Sequence, residues 1–468
     1  MLYSQYSSIG TARYASLGGA MGALGANLGA IGSNPATLGV YKRGEISITP
    51  ALVINSEKIK HLSNDWLETN RTAFKVPNFG AVLAWQRAAS NSRNEWKYFQ
   101  FGVTYSQTAD FNSLSRGTGY TGAYSQDANG YHGIPTYLDV LTNQANAYGN
   151  VAQGSIRGDA YDAGLIAFDS TANRFFNDLS DTNGLTQRFS TKTSGGIYEG
   201  NFAFAANYGD IVYIGVALGL NSLDYTKELT LEELDRQNLH PDFDSWKFSN
   251  KIVVRGTGIN FKAGVIVRPV DWMRVGVAIH TPTAYTMRES YKTSMYGIGR
   301  YISNNSNGGT DAQYRYAFTS PFRLIGSLGF VLGKHLSIGA EYEYLNYAQM
   351  KFRNSSDDWE SEDAYKQDNA FIKENYKHAG VAKIGIEGRF SPLSLRVGYN
   401  YFVAPTDIYH ETKHAISGGI GISFNRFYID AAYMATLNNY QMQLYPEAPN
   451  TQYHNFKHQV LLTLGYRF

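Results

Sequence analysis

The chain has 468 residues, no cysteine and a formal net charge of +2, so disulfides and thiolate metal sites are excluded and a nucleic-acid-binding role is disfavoured. Tyr (36) and Gly (47) are abundant and charged residues reach only 17%, a balance that favours strands over helices. No run of about 18 apolar residues occurs, so no transmembrane helix is expected.

The first ten residues, "MLYSQYSSIG", have neither a basic n-region nor an apolar h-region and do not read as a signal peptide. With the strands that follow, the expectation is an exported chain whose signal has been removed. Residues 18–39 read "GGAMGALGANLGAIGSNPATLG", with seven Gly and five Ala in 22 positions. The stretch is too Gly-rich for a stable helix and too poorly charged for a disordered tail. Asn34-Pro35 marks a turn within it.

From residue 45 onward the dominant signal is a period of two. In "HQVLLTLGYRF", Val460, Leu462, Leu464, Tyr466 and Phe468 share one face, against the mostly polar or small Gln459, Leu461, Thr463, Gly465 and Arg467. "PLSLRVGYNY", "HLSIGAEYEY", "WMRVGVAIH" and "AKIGIEGRF" repeat the pattern, with Arg396, Glu341, Arg274 and Lys383 on the polar sides. Such segments, about ten residues long, fit strands that cross a bilayer at a tilt, apolar side to lipid and polar side to a lumen. About 14 are expected, starting near Glu45, Thr72, Trp96, Gly196, Ile211, Phe248, Trp272, Gln313, His335, Phe371, Leu393, Ala415, Phe427 and Asn455.

The connections alternate in length. Tight turns are expected at residues 208–211, 268–272, 332–335, 389–393 and 424–427, with long polar segments between them. One connection, residues 111–194, is oversized and reads as a folded external loop. It contains two candidate helices, "PTYLDVLTNQANAY" and "DSTANRFFNDL", the second with Ser170 or Thr171 as N-cap. The acidic run 355–363, "SSDDWESED", reads as a solvated external loop, with Ca²⁺ binding or ion bridging to lipopolysaccharide as the alternative.

The fold expected is therefore all-β: a transmembrane antiparallel β-barrel of about 14 strands over residues 44–468. A barrel this wide is not filled by its own side chains, so residues 1–43 are expected inside the lumen as an N-terminal hatch. Scattered histidines, with no His-x-x-x-His pair, no phosphate-binding loop and no nucleophile elbow, point away from an enzyme, a metal site or a cofactor. The lumen-side Arg274, Lys383 and Arg396 are candidate contacts for a carboxylate ligand, or else pair across the wall and anchor the hatch.

The stretch "ARYASLGGAMGALGANLGAIGSNPATLG" resembles the N-terminal signature of the FadL/TodX/OmpP1 family of outer-membrane hydrophobic-compound transporters. The matching residues are Ala12-Arg13, Gly18-Gly19-Ala20 and Asn34-Pro35-Ala36, with "VPNFG" at residues 76–80 and the terminal "GYRF" in further agreement. The resemblance implies a 14-stranded barrel in the outer membrane of a Gram-negative bacterium, among outer-membrane lipids and lipopolysaccharide. It also implies a hatch containing Gly18, Gly19, Asn34, Pro35 and Ala36. Its implied mechanism is capture of a hydrophobic or fatty-acid-like molecule, followed by sideways release at a kink in the third strand. Here that strand is "EWKYFQFGVTYSQTADF". Gly102 permits a bend and the alternation weakens from Ser106 to Asp110, which places a wall opening there. The alternative is a non-transporting barrel serving as a subunit of an envelope machine for protein secretion or outer-membrane protein assembly. Some related Bacteroidetes members look like such subunits, and the Tyr- and Asn-rich composition suits that lineage. A simple porin is disfavoured, because the N-terminal segment would block it.

Overall fold

The computed structural model describes residues 2–4, 9–63, 65–87, 96–122, 124–127, 130–179, 183–299, 309–354 and 365–468. The acidic run 355–363 lies outside the described residues.

Fourteen antiparallel strands form the barrel. They are β1 Glu45–Lys60, β2 Leu67–Gln86, β3 Trp96–Asp110, β4 Thr186–Tyr208, β5 Val212–Leu234, β6 Phe243–Val270 and β7 Met273–His280. They continue as β8 Arg323–Leu332, β9 Leu336–Asn346, β10 His378–Phe390, β11 Leu393–Phe402, β12 Thr412–Phe424, β13 Phe427–Met442 and β14 Thr451–Arg467. Strand β14 pairs back onto β1, from Glu45 opposite Arg467 to Lys60 opposite Gln452, and closes the sheet. No helix among the described residues is long and apolar enough to cross a membrane.

The period-two pattern sorts as physical chemistry requires. Val460, Leu462 and Leu464 are exposed on the outside of β14, while Gln459, Leu461 and Thr463 are buried on the inside. Ile46, Ile48 and Leu52 on β1, Val277 and Ile279 on β7 and Ile416, Ile420 and Ile422 on β12 extend the outward apolar band. Exposed Trp272, Phe390, Phe424, Phe427 and Phe468 ring the end that carries the short turns, as interfacial aromatics do. One of these turns shows how tight they are. Gly209 and Asp210 both take positive φ, 63° and 59°, the geometry that matches the twist of a two-residue hairpin.

At the other end the wall continues past the barrel. Strands Ala284–Gly299, Asp311–Thr319 and Lys351–Asn354 extend it outward beside the long outer part of β6. This corrects two strand starts. Gln313 belongs to one of the extensions, and the barrel strand there begins at Arg323. Phe371 lies in the helix Lys366–Asn375, and the barrel strand begins at His378.

The oversized connection is folded, as expected, but part of it is wall: residues 186–194 belong to β4, and residues 186–193 pair with the short strand Ser113–Tyr120. The helix Tyr137–Tyr148 forms behind a capping box, in which Thr136 and Asp139 satisfy each other's backbone N–H. The second expected helix is a hairpin, Ala167–Asp169 against Arg174–Phe176. Its Asp169 side chain accepts from Thr171 N and Ala172 N, a turn-forming bond that competes with helix initiation. Leu138, Leu141, Phe175, Trp246 and Tyr453 share one buried cluster, which seats this external cap on the barrel rim.

Candidate binding site

The N-terminal segment is assembled from short turns, each capped by its own side chain. Thr11 accepts from Tyr14 N, Asn27 from Gly29 N and Asn34 from Ala36 N. Gly18 and Gly19 take positive φ (61° and 80°), which explains a Gly pair at that point. Asn34 also donates to Gly22 O at 2.8 Å, fixing the loop that Pro35 and Ala36 leave.

This segment lies against the inward polar face on opposite sides of the barrel. Ala12 N donates to Thr463 on β14, and Ser417 on β12 donates to Ser16 O. Gln100 on β3 donates to Gly39 O and Tyr41 O, and Lys262 on β6 donates to Gly32 O. The fit is close enough to exclude side chains from the wall. A Cβ on Gly215 would stand 2.3 Å from Pro35 O, and one on Gly339 2.0 Å from Ala20 O.

Charges complete the seat. Arg13 donates to Glu387 through Nε at 2.7 Å and Nη2 at 3.0 Å, a bidentate pair. Glu387 also accepts from Arg396, which continues to Asp430. Lys383 bridges Glu341 and Glu343, and Glu341 accepts from Gly22 N at 3.0 Å. Arg274 donates to Leu24 O. Arg274, Lys383 and Arg396 are each engaged in the wall or the segment, and none lines the cavity toward the outer loops.

That cavity, of about 600 Å³, lies inside the barrel toward the outer loops, lined by wall and loop residues and by none of the described residues of 1–43. Phe111, Tyr225, Phe402, Met434, Met442 and Tyr453 supply its apolar surface. Glu57, Asp110, Glu411, Lys227, Lys413 and Lys457 bring charge to it. The Lys227 side chain has neither an ion pair nor a hydrogen bond among the described residues. Lys413 Nζ sits 4.7 Å above the Phe402 ring.

One side of the cavity coincides with an interruption in the wall. The β2–β3 ladder runs from Gln86 opposite Tyr98 to Asn78 opposite Ser106 and stops there. The outer part of β2, residues 67–75, pairs with β1 alone. Beyond a bulge at residues 107–109, the chain instead rests on inward side chains of β1 and β2. Asn55 donates to Asn112 O at 2.9 Å and Arg71 to Ser113 O at 3.1 Å. Asp110 takes Lys75 from β2 and Lys457 from β14, the latter at 3.2 Å.

The three third-strand positions now separate. Asp110 lies at the interruption, and Ser106 is the last laddered residue, accepting from Asn78 Nδ2 at 2.9 Å. Gly102 is not a bend: it is paired on both sides, and a Cβ there would press on Leu38 and Ile31 of the N-terminal segment. Sequence reasoning missed Lys75, Lys457 and Lys227, whose only signal was an inward position in a period-two strand.

Outside the apolar band, the cap is fastened through a buried relay. Glu233 accepts from Tyr137 N (2.8 Å), Gln187 Nε2 (2.5 Å) and Trp246 Nε1 (2.6 Å), and burial pushes its carboxyl up to about 7. Gln187 Oε1 meets His61 Nε2 at 3.2 Å, and burial lowers that imidazole to about 4.

These features define a closed transmembrane β-barrel with a roomy cavity of mixed aromatic and charged lining beside an incomplete stretch of wall. The same fold is found in a Pseudomonas aeruginosa FadL homologue, at 11% identity and a TM-score of 0.60, covering 99% of this chain and 100% of that one. The P. putida toluene transporter TodX matches at 12% identity and a TM-score of 0.55, covering 99% of each chain. The monoaromatic hydrocarbon channel CymD matches at 11% identity and a TM-score of 0.52, covering 99% of this chain and 98% of that one. No protein-family model and no curated protein matches the sequence.

Proposed function

We propose that the protein is an outer-membrane channel for hydrophobic or amphipathic small molecules, in which residues 1–43 act as a hatch and the solute leaves sideways between β2 and β3. The observation that carries this reading is the coincidence of the cavity with the end of the β2–β3 ladder: residues 109–113 border both. A volume of about 600 Å³ falls in the range of small-molecule sites, roughly 300–1,000 Å³. The aromatic and Met surface suits an alkyl or aryl body. Lys227 and Lys413 suit an anionic head, so a fatty-acid-like carboxylate is the favoured solute. The transport named for TodX and the channel named for CymD agree with this reading.

The test uses the absence of native cysteine. Lys75→Cys and Asp110→Cys are joined across the interruption by a cleavable bis-maleimide, and uptake of radiolabelled oleate is followed in cells before and after cleavage. Uptake should fall to background when the link is present and return when it is cut. A control link between Asn78→Cys and Ser106→Cys, already a laddered pair, should change nothing. Undiminished uptake through the linked 75–110 protein would rule out the lateral route.

A further inference from the structure

Beyond the apolar band, the outward face carries a row of arginines. Arg255 on β6 stands directly opposite Arg288 in the strand Ala284–Gly299. Arg288 stands directly opposite Arg315 in the strand Asp311–Thr319. Arg353, on the next strand, is opposite Ala317 and so one diagonal step from Arg315. All four are exposed. At about 4.8 Å between strands, the row spans about 14 Å.

Like charges set directly opposite each other in a sheet are destabilising. The next opposed pair outward, Lys251 and Lys292, is neutralised within the chain by Glu228 at 3.3 Å and Asp311 at 3.7 Å. The arginine row has no such ion pair: none of the four side chains makes an ion pair or hydrogen bond among the described residues. Asp224 faces Arg255 from β5 without bridging to it. Among the described residues the row thus lacks a bridging counter-anion.

Its height identifies the source of that anion. Arg255 and Thr257 share a face with Ile259 and Phe261, exposed apolar residues at the outer end of the β6 band. Four residues past Ile259 is about 13 Å along a strand, or about 10 Å in height at a tilt near 40°. That is the depth of lipid headgroups, not of hydrocarbon.

We propose that Arg255, Arg288 and Arg315, flanked by Arg353, bind the phosphate groups of an outer-leaflet lipid whose headgroup lies across these strands. Guanidinium forks grip phosphate oxygens in bidentate pairs, which a strand-to-strand row presents side by side. Thr257 and Thr286, opposed one step nearer the membrane, offer hydroxyls to the same headgroup. The acyl chains then run down over Ile259 and Phe261. The inference rests on the outer-membrane reading and is independent of transport.

The experiment compares the folded wild-type barrel with the Arg255→Gln/Arg288→Gln/Arg315→Gln variant by native mass spectrometry in detergent. Heat-modifiable gel mobility establishes folding, and Arg288→Glu alone serves as a second variant that splits the row. The probes are bisphosphorylated lipid A, the same lipid dephosphorylated, and inorganic phosphate. The wild type should retain the bisphosphorylated lipid, and each variant should lose at least about tenfold in retention, equivalent to about 1.4 kcal/mol. The dephosphorylated lipid should show no difference between proteins. Equal retention of bisphosphorylated lipid by wild type and variants overturns the proposal, as does equal retention of the dephosphorylated lipid by the wild type. Displacement by equimolar inorganic phosphate would reassign the row to free anions and overturn the lipid claim. Failed oleate uptake with lipid retention intact would break the transport reading and leave this one standing.

Discussion

The wall from β9 to β12 and the wall from β2 to β4 employ similar buried charges under different backbone conditions. Between β9 and β12 every neighbouring pair is laddered along its length. There Glu341, Lys383, Glu387 and Arg396 satisfy one another and also hold the N-terminal backbone and Arg13. Between β2 and β4 the ladder is incomplete, and Lys75, Asp110 and Lys457 bridge the stretch that backbone hydrogen bonds leave open. A buried charge in this barrel is therefore not by itself a ligand contact. Where the sheet is whole, charge fixes the segment inside it; where the sheet is broken, charge closes the wall. Lys227, with neither task, faces the cavity.

The harshest way to break the comparison is on the complete side. Glu387→Ala leaves Arg13 and Arg396 without their shared carboxylate. Breaking a buried pair in this way costs about 3–5 kcal/mol, and the N-terminal segment should unseat. Planar-bilayer recordings should show open-pore conductance that the wild type lacks. On the incomplete side, Asp110→Asn sets Lys75 and Lys457 against each other without their anion. Because the ladder is already absent there, thermal unfolding should move less than for Glu387→Ala, while oleate uptake rises several-fold.

The cavity should separate charge from apolar contact. Lys227→Met with Lys413→Met should weaken carboxylate amphiphiles by about ten- to a hundredfold, since a hydrogen bond to a charged group contributes about 1.5–3 kcal/mol. Toluene should bind with unchanged affinity in the same calorimetric titration.

The smallest effect concerns the cap. Glu233 is raised to about 7 from 4.5, so its docked form holds a proton that the undocked form releases, and docking weakens as pH rises from 4.5 to 7. His61 is lowered to about 4 from 6.5, so docking strengthens as pH rises from 4 to 6.5. The two slopes oppose, and limited proteolysis of the cap should be nearly independent of pH between 4.5 and 6.5. Glu233→Gln should expose protection that grows with pH, and His61→Gln protection that declines with it.

Much of this architecture was legible in the sequence because a membrane wall imposes a period of two, and because close backbone approach inside a barrel demands small residues. The two misplaced starts have a common cause. The strand Asp311–Thr319 has its own alternation, with Tyr316 and Phe318 buried, so it reads like a membrane crossing although it lies beyond the band. The adjacent apolar pair Phe371 and Ile372 belongs to a helix that buries only Ile372. The candidate site was less legible. Lys75 lies 35 residues from Asp110, and Lys457 lies 347 from it. No local pattern signals a pairing that only barrel closure creates. Gly102, expected to permit a bend, has a missing side chain that makes room for Leu38.

The most direct test of a solute path that runs from the cavity out through the wall is photolabelling of the protein in membranes with a diazirine-bearing fatty acid, followed by peptide mass spectrometry. The account expects adducts on the outer part of β2, residues 67–75, and on residues 109–114. Adducts confined to the short-turn side of the N-terminal segment, with none on β2, would mean that the solute passes through the lumen and would contradict it.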